Sequence, residues 1–322
     1  MKESTIHSLD PAEILCSGPW LLYPATPVEK IIPSIGRNGQ LAPVLLVEKD
    51  GKIQLVAGRA RVEAARKLGK KVSAVFVDAP DDISCAIAHI DENFARTADE
   101  SVKCASFRFF AERMDKKDIP ALLGPVFSIR PKSRDMEFWM GWLDLETEFD
   151  PLLAAGNIPL AAVAVLGSIS AADRAAARPF FEQISWSRSN AVNFLTWLYE
   201  TARRDSTPVA ELLGGSDFSL SMGNESPKDA VARLCRAAKL LRYPNLSRLE
   251  KAHSAIASEI CAGTRWKVEP VGSFETGEVL LQTRFKSREM LEKALADLKT
   301  IAGYEGWETV FDLGRDKQDG ES

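Results

Sequence analysis

QLVAGRARVEAARKLGKK, residues 54–71, puts the end of a strand, a glycine and a helix in immediate succession. The apolar run Ile53–Ala57 predicts a short strand, and Gly58 follows it directly. A helix then opens at Arg59, runs to Leu68 and stops at Gly69, before a second apolar strand over Val72–Val77. A helix start offers unpaired backbone N–H groups and the positive end of the helix dipole, which together favour an anion. Arg59 and Arg61 at that start add forked, charge-assisted donors suited to phosphate. Gly58 lets backbone approach a ligand with no Cβ in the way. The plainer alternative is an ordinary strand–helix–strand unit with solvated arginines.

Upstream, residues 1–30 read as a loop-like lead broken by Pro19, Pro24 and Pro27. A short helix with Ile31, Ile32 and Ile35 in register spans Val28–Ile35 and ends in the GRNG turn. Residues 41–58, LAPVLLVEKDGKIQLVAG, predict two strands joined by a Lys-Asp-Gly turn. Downstream of the second strand, Asp81–Ile90 is helical and residues 91–97 read DENFART.

Composition narrows the class. The 322 residues are 45% hydrophobic and 27% charged, which is a globular balance and room for two or three domains. A net charge of −4 argues against wholesale coating by nucleic acid while leaving room for a local basic patch. Apolar runs such as Leu160–Leu166 are far too short to span a bilayer, so no membrane partner is expected. The opening MKESTIHSLDPAEIL carries acids where a signal peptide needs an apolar core, and a cytoplasmic location follows as the expectation. Five scattered cysteines and three distant histidines speak against a zinc cluster or a serine–histidine triad.

The order NGQLAPV (38–44), VAGRARVEAARKLG (56–69), ENFART (92–97) resembles the N-terminal domain of ParB-type partition proteins. The resemblance implies an α+β domain of the ParB/sulfiredoxin fold that binds CTP with Mg²⁺. By position, Gly39 and Pro43 would sit at the base and Gly58 and Arg61 would hold phosphates, while Arg59 would supply the charge that Ala60 lacks. Glu92, Asn93 and Arg96 would line the triphosphate, with Asn93 near the metal and Glu92 as the one matching carboxylate able to orient a water. A weak CTPase activity is left open by it. Departures from the family pattern are Ala42 for a glutamine, Arg59 for a glutamate, Ala60 for an arginine and Ala95 for a glutamine. The related sulfiredoxins need a cysteine in the glycine box, and Gly58-Arg59-Ala60-Arg61 has none.

From Ser101 the pattern turns helical, with Phe107, Phe110 and Met114 on one side. Ile119–Leu123 predicts a short helix ending at Gly124, and Ser133 caps a further helix striped by Met136, Trp139, Met140 and Leu143. This is similar to the helix-turn-helix of the same family and places Lys132, Ser133 and Arg134 at the start of a recognition helix over DNA. Acids crowd the rest of that helix, so a purely structural role is the competing reading. Ser185–Arg204 predicts another amphipathic helix and residues 206–226 a Gly/Ser-rich linker. Two helices, Pro227–Leu241 and Leu246–Ala262, a hairpin over RWKVEPVG and GEVLLQTRF, a helix after Ser287 and a final strand at Trp307–Leu313 complete the chain. That order resembles the family's small α+β dimerisation domain, with Leu280 and Phe285 either zipping two copies together or covering their own helix. The expected division is a nucleotide-binding domain over 1–100, an all-α domain over 101–205, a linker over 206–226, a C-terminal α+β domain over 227–313 and a frayed tail over 314–322.

The resemblance implies a DNA-bound homodimer, closing as a clamp on CTP and active in partition or transcription. A ParA-type ATPase is the family's partner, although its short basic Leu-Gly-rich contact segment is not visible in residues 1–15. The competing class is a nucleotide-dependent kinase or nuclease-like hydrolase of the same fold, using Glu92 and Arg61 on a small substrate. A third reading is a scaffold that has lost nucleotide binding.

Overall fold

The computed structural model describes residues 5–96, 98–220, 225–274 and 276–313. Thr97, residues 221–224 of the expected linker and the expected tail at 314–322 lie outside the described residues. The chain builds an α+β region on a mixed sheet, then a largely helical region, then a small hairpin with helices.

The lead read as loop supplies two edge strands, β1 (His7–Leu9) and β2 (Ile14–Leu15). Strands of three and two residues are too short to show alternation, and pairing alone fixes them: β1 runs antiparallel to β5 (Val72–Phe76) and β2 parallel to β4 (Lys52–Ala57). The Val28–Ile35 segment begins as a 3₁₀ turn at Val28–Lys30 and becomes α1 over Ile32–Asn38, ending at Gly39 with φ of 71°. β3 (Val44–Lys49) and β4 form the expected hairpin, with Asp50 and Gly51 at φ of 51° and 68°. Two positive φ values in a row match the right-handed strand twist, which is why Asp-Gly suits the turn. α2 (Arg59–Leu68) ends on Gly69 in the left-handed region, and α3 (Asp82–Glu92) is capped by the Asp81 carboxylate.

The five strands lie in the order β1-β5-β3-β4-β2, with β3 parallel to β5 and antiparallel to β4. Both faces of the centre are covered, so Leu46 and Val47, and Leu55 and Val56, are buried in succession. On one face Val62 and Ala65 of α2 meet Ile14, Val44, Leu46, Leu55, Val72 and Ala74. On the other, Val47 and Val56 join Trp20, Cys85, Ala86 and Ile90. The Trp20 indole N–H donates to the Leu55 carbonyl at 2.9 Å, stitching the lead to the sheet.

The helical region holds α4 (Glu100–Ala111), α5 (Ile119–Val126), α6 (Arg134–Trp142), α7 (Asp150–Ala154), α8 (Val163–Leu166), α9 (Ala171–Gln183) and α10 (Arg188–Asp205). Asp99, Ser133, Ser170 and Ser187 cap α4, α6, α9 and α10 through side-chain oxygens. α5 does not stop at Gly124. That glycine is a packing residue, since a Cβ there would lie 2.7 Å from the Ile129 carbonyl oxygen. Phe107 stacks on Trp139 at 4.9 Å, and the Arg108 guanidinium clasps Asp150 with two bonds of 3.0 Å. The Trp142 indole donates to the same carboxylate, so α4, α6 and α7 share one polar knot.

Two later expectations are corrected. Over its described residues the 206–226 stretch is no open tether: α11 (Val209–Leu213) and a 3₁₀ turn at Ser216–Phe218 bury Val209, Leu213 and Phe218 in the helical core. Glycine and serine there serve turns between buried anchors. α12 (Pro227–Arg242) buries Ala230, Val231, Leu234 and Ala238 in that same core, packed on α10. α13 (Pro244–Ile260) leads to the expected hairpin, β6 (Lys267–Pro270) antiparallel to β7 (Val279–Gln282), then α14 (Arg288–Ala302). The final segment, expected as a strand, is α15 (Trp307–Asp312). Trp307 and Phe311 stack at 5.6 Å across four residues, a helical neighbour spacing, although Trp307, Thr309, Phe311 and Leu313 fit the alternation of a strand as well. Ile260, Val268, Ile301 and Val310 form this unit's own small core.

Candidate functional site

Gly58 fixes the site. Its φ is 102°, and a Cβ there would sit 2.7 Å from Val44 Cγ1 and 3.1 Å from Arg61 Nε. Space and backbone conformation therefore both demand glycine. The corner aims the first turn of α2 outward, with the Arg61 and Val62 amides donating to the Gly58 carbonyl at 2.9 and 3.2 Å. The N–H groups of the residues before them have no intrahelical partner.

A cavity of about 290 Å³ opens at this corner. Gly58, Arg59, Arg61, Asn93 and Arg96 all line it, so five of the sequence-predicted residues share one wall-to-wall space. Arg59 donates to the Cys16 carbonyl at 3.0 Å and lies 3.4 Å from Glu63. Arg61 donates to the Pro43 and Ala42 carbonyls at 2.7 and 3.2 Å and to Glu92 at 2.8 Å. Arg96 donates to Asn93 Oδ1 at 3.0 Å and to the Pro24 carbonyl at 2.9 Å, with its guanidinium over the Tyr23 ring. The three guanidiniums are thus held by protein acceptors around one opening, as preorganised anion binding requires.

The other predicted residues stand apart from the cavity wall. Pro43 and Glu92 reach it only through Arg61. Gly39 closes α1, and Gln40 beside it bonds Ser73 on β5 through both ends of its amide. Glu92 faces a guanidinium and pairs with it at 2.8 Å. Asn93 is committed at both ends, its Nδ2 donating to the His89 carbonyl at 2.8 Å and its Oδ1 accepting from Arg96. As arranged, the predicted Mg²⁺ ligand offers no oxygen clear of a cation. Among the described residues no three His, Cys, Asp or Glu side chains converge on a metal position.

The facing wall was not read from the sequence. Tyr23, Pro24, Ala25 and Thr26 come from the lead, and His89 from α3. His89 is buried, which pushes its pKa below the ordinary 6.5, and its Nδ1 lies 2.7 Å from the Val56 carbonyl. Its Nε2 accepts the Tyr23 amide at 3.2 Å, so the ring is a neutral peg between lead and sheet. The Trp20–Tyr23 run of apolar and aromatic residues in an otherwise polar lead was the available signal.

The expected DNA-reading residues sit at the start of α6. Lys132 and Arg134 are exposed, and the Ser133 hydroxyl accepts the Met136 amide as the cap. Arg134 and Arg188 both stack on the Phe138 ring, at 5.3 and 5.9 Å. The loop from Phe127 to Ser133 folds back on α5 through the Ile129 amide, which donates to the Gly124 carbonyl.

No protein-family profile matches the chain, and no curated protein matches it. Among solved structures, it is similar to the C-terminally truncated chromosome-partitioning protein ParB from Caulobacter crescentus. The form complexed to the centromeric parS site aligns over 59% of this chain and 98% of that one, at 17% identity and a TM-score of 0.37. The form complexed with CTP-γ-S aligns over 52% and 94%, at 20% identity and a TM-score of 0.27. At these scores the likeness carries no functional weight of its own. Among the described residues no helix is long and apolar enough to cross a membrane.

Proposed function

We propose that the chain is a ParB-like DNA-binding protein that takes a nucleotide, CTP in preference to other bases, in the cavity at Gly58. The observation that carries this reading is the convergence of Arg59, Arg61 and Arg96 on the glycine corner where α2 begins. A polyphosphate suits that corner because helix-start amides and guanidiniums act on the same charge. DNA is engaged by Lys132, Ser133 and Arg134 at the start of α6, and two copies pair through the C-terminal hairpin and α14. Of the proposed parts, the N-terminal unit extends to about residue 100. The helical part takes in α11 and α12, because both share its core, and the C-terminal unit starts at α13.

Ligand that binds only the folded chain stabilises it by about 2.7 kcal/mol at a hundredfold excess over Kd. The melting temperature is therefore expected to rise with CTP more than with ATP, GTP or UTP. Equal shifts with all four would reduce the site to unselective phosphate binding, and no shift would remove nucleotide from the account.

A further inference from the structure

Resting on the nucleotide reading above, we infer that the cavity holds phosphate without a divalent metal, and that Asn93 and Glu92 are positioning residues for Arg96 and Arg61. Magnesium demands near-octahedral oxygen at close range and sheds its waters reluctantly. The two side chains that the sequence marks for that role each accept from an arginine, through Asn93 Oδ1 and Glu92 Oε1. Asn93 is fixed to α3 by its Nδ2 bond to the His89 carbonyl at 2.8 Å, which turns Oδ1 onto Arg96 Nη1 at 3.0 Å. A dication on that oxygen would lie against a guanidinium, a like-charge contact. Glu92 Oε1 accepts from Arg61 Nη2 at 2.8 Å, while the same guanidinium reaches back to the Pro43 carbonyl at 2.7 Å. Glu63, the next carboxylate along, lies 3.4 Å from Arg59.

Each acid or amide near the cavity therefore orients an arginine. Arg96 spends two of its five donors on Asn93 and the Pro24 carbonyl, so its plane is set before ligand arrives. Positioned guanidinium groups supply the positive charge that a metal brings elsewhere, and their planar forks match phosphate oxygens in pairs.

Titration calorimetry of the full chain with CTP, in EDTA and in excess MgCl₂ at matched ionic strength, tests this. Affinities within about threefold of each other are expected, far from the tenfold or greater effect of disturbing a true metal site. Asn93→Ala should weaken binding about tenfold in both buffers alike, as a loss of ligand orientation does. Glu92→Gln, a milder change at an exposed position that keeps an oxygen to accept from Arg61, should weaken CTP binding less than Asn93→Ala and by the same factor in both buffers. Binding that appears only with Mg²⁺, or a variant that loses only the Mg²⁺-dependent part, overturns the inference while leaving the nucleotide reading intact. No heat with CTP in either buffer overturns both.

Discussion

Gly58 has little freedom, in space or in backbone conformation. A methyl group there would clash with Val44 and force a positive φ on a residue with a Cβ. Gly58→Ala is expected to cost roughly 1–3 kcal/mol in urea unfolding and to abolish any nucleotide shift. A variant as stable as wild type would mean the corner relaxes freely and does not set the site. His89 gives a second residue-scale outcome. Burial lowers its folded pKa below 6.5, so it contributes stability above that pH that is lost as pH falls through the folded value. His253, also buried and shifted the same way, adds to the slope. The melting temperature should drop as pH is taken below 6.5, and His89→Gln should flatten that drop even though the variant starts lower. Parallel pH curves for the two proteins would place the sensitivity elsewhere. At this scale the sequence pointed to Gly58, Arg59 and Arg61 through a glycine and charge at a helix start, and to Asn93 and Arg96 only through the resemblance to the family's boxes. It did not point to Tyr23 or His89, whose role comes from the lead crossing the sheet, a contact between residues 66 apart in sequence.

Elements with a cap and a long apolar stripe were legible, and short ones were not. Ser133 before α6 and Asp-Gly between β3 and β4 were read for the reasons that hold in the structure. β1 and β2 are too short for any period, and the seven residues around α15 fit the period of a strand and of a helix alike. The stretch holding α11 was misjudged because its serines and glycines outnumber its buried anchors. For α6 the proposed role makes a direct demand. Lys132→Ala with Arg134→Ala should weaken duplex binding uniformly and reduce its salt slope by about one for each phosphate no longer engaged. If the double variant binds with wild-type slope, α6 does not face DNA, and its aromatic stripe is there only to build the knot with α4 and α7.

At the scale of the whole molecule, the C-terminal unit leaves several large apolar side chains open to solvent. Leu280, Phe285 and Leu295 are 51%, 49% and 52% exposed, so about half of each is left for a second copy to cover. A large apolar face on a folded chain favours association. The proposed homodimer should sediment as two chains in wild type and as one in Leu280→Glu with Leu295→Glu, with the nucleotide shift retained. A double variant that still sediments as a dimer would move the interface to another surface. The coarse plan was legible from the order of motifs, but where one core ends and the next begins was not. α12 looks like any amphipathic helix until its partner, α10, is known.

The most direct test is calorimetric titration of CTP into wild type and Arg61→Ala. Arg61 joins the glycine corner, the β3 loop and α3 in one guanidinium. Saturable binding to wild type that vanishes in the variant is the result predicted. A variant that binds CTP as tightly as wild type, or a wild type that binds no nucleotide, would contradict it.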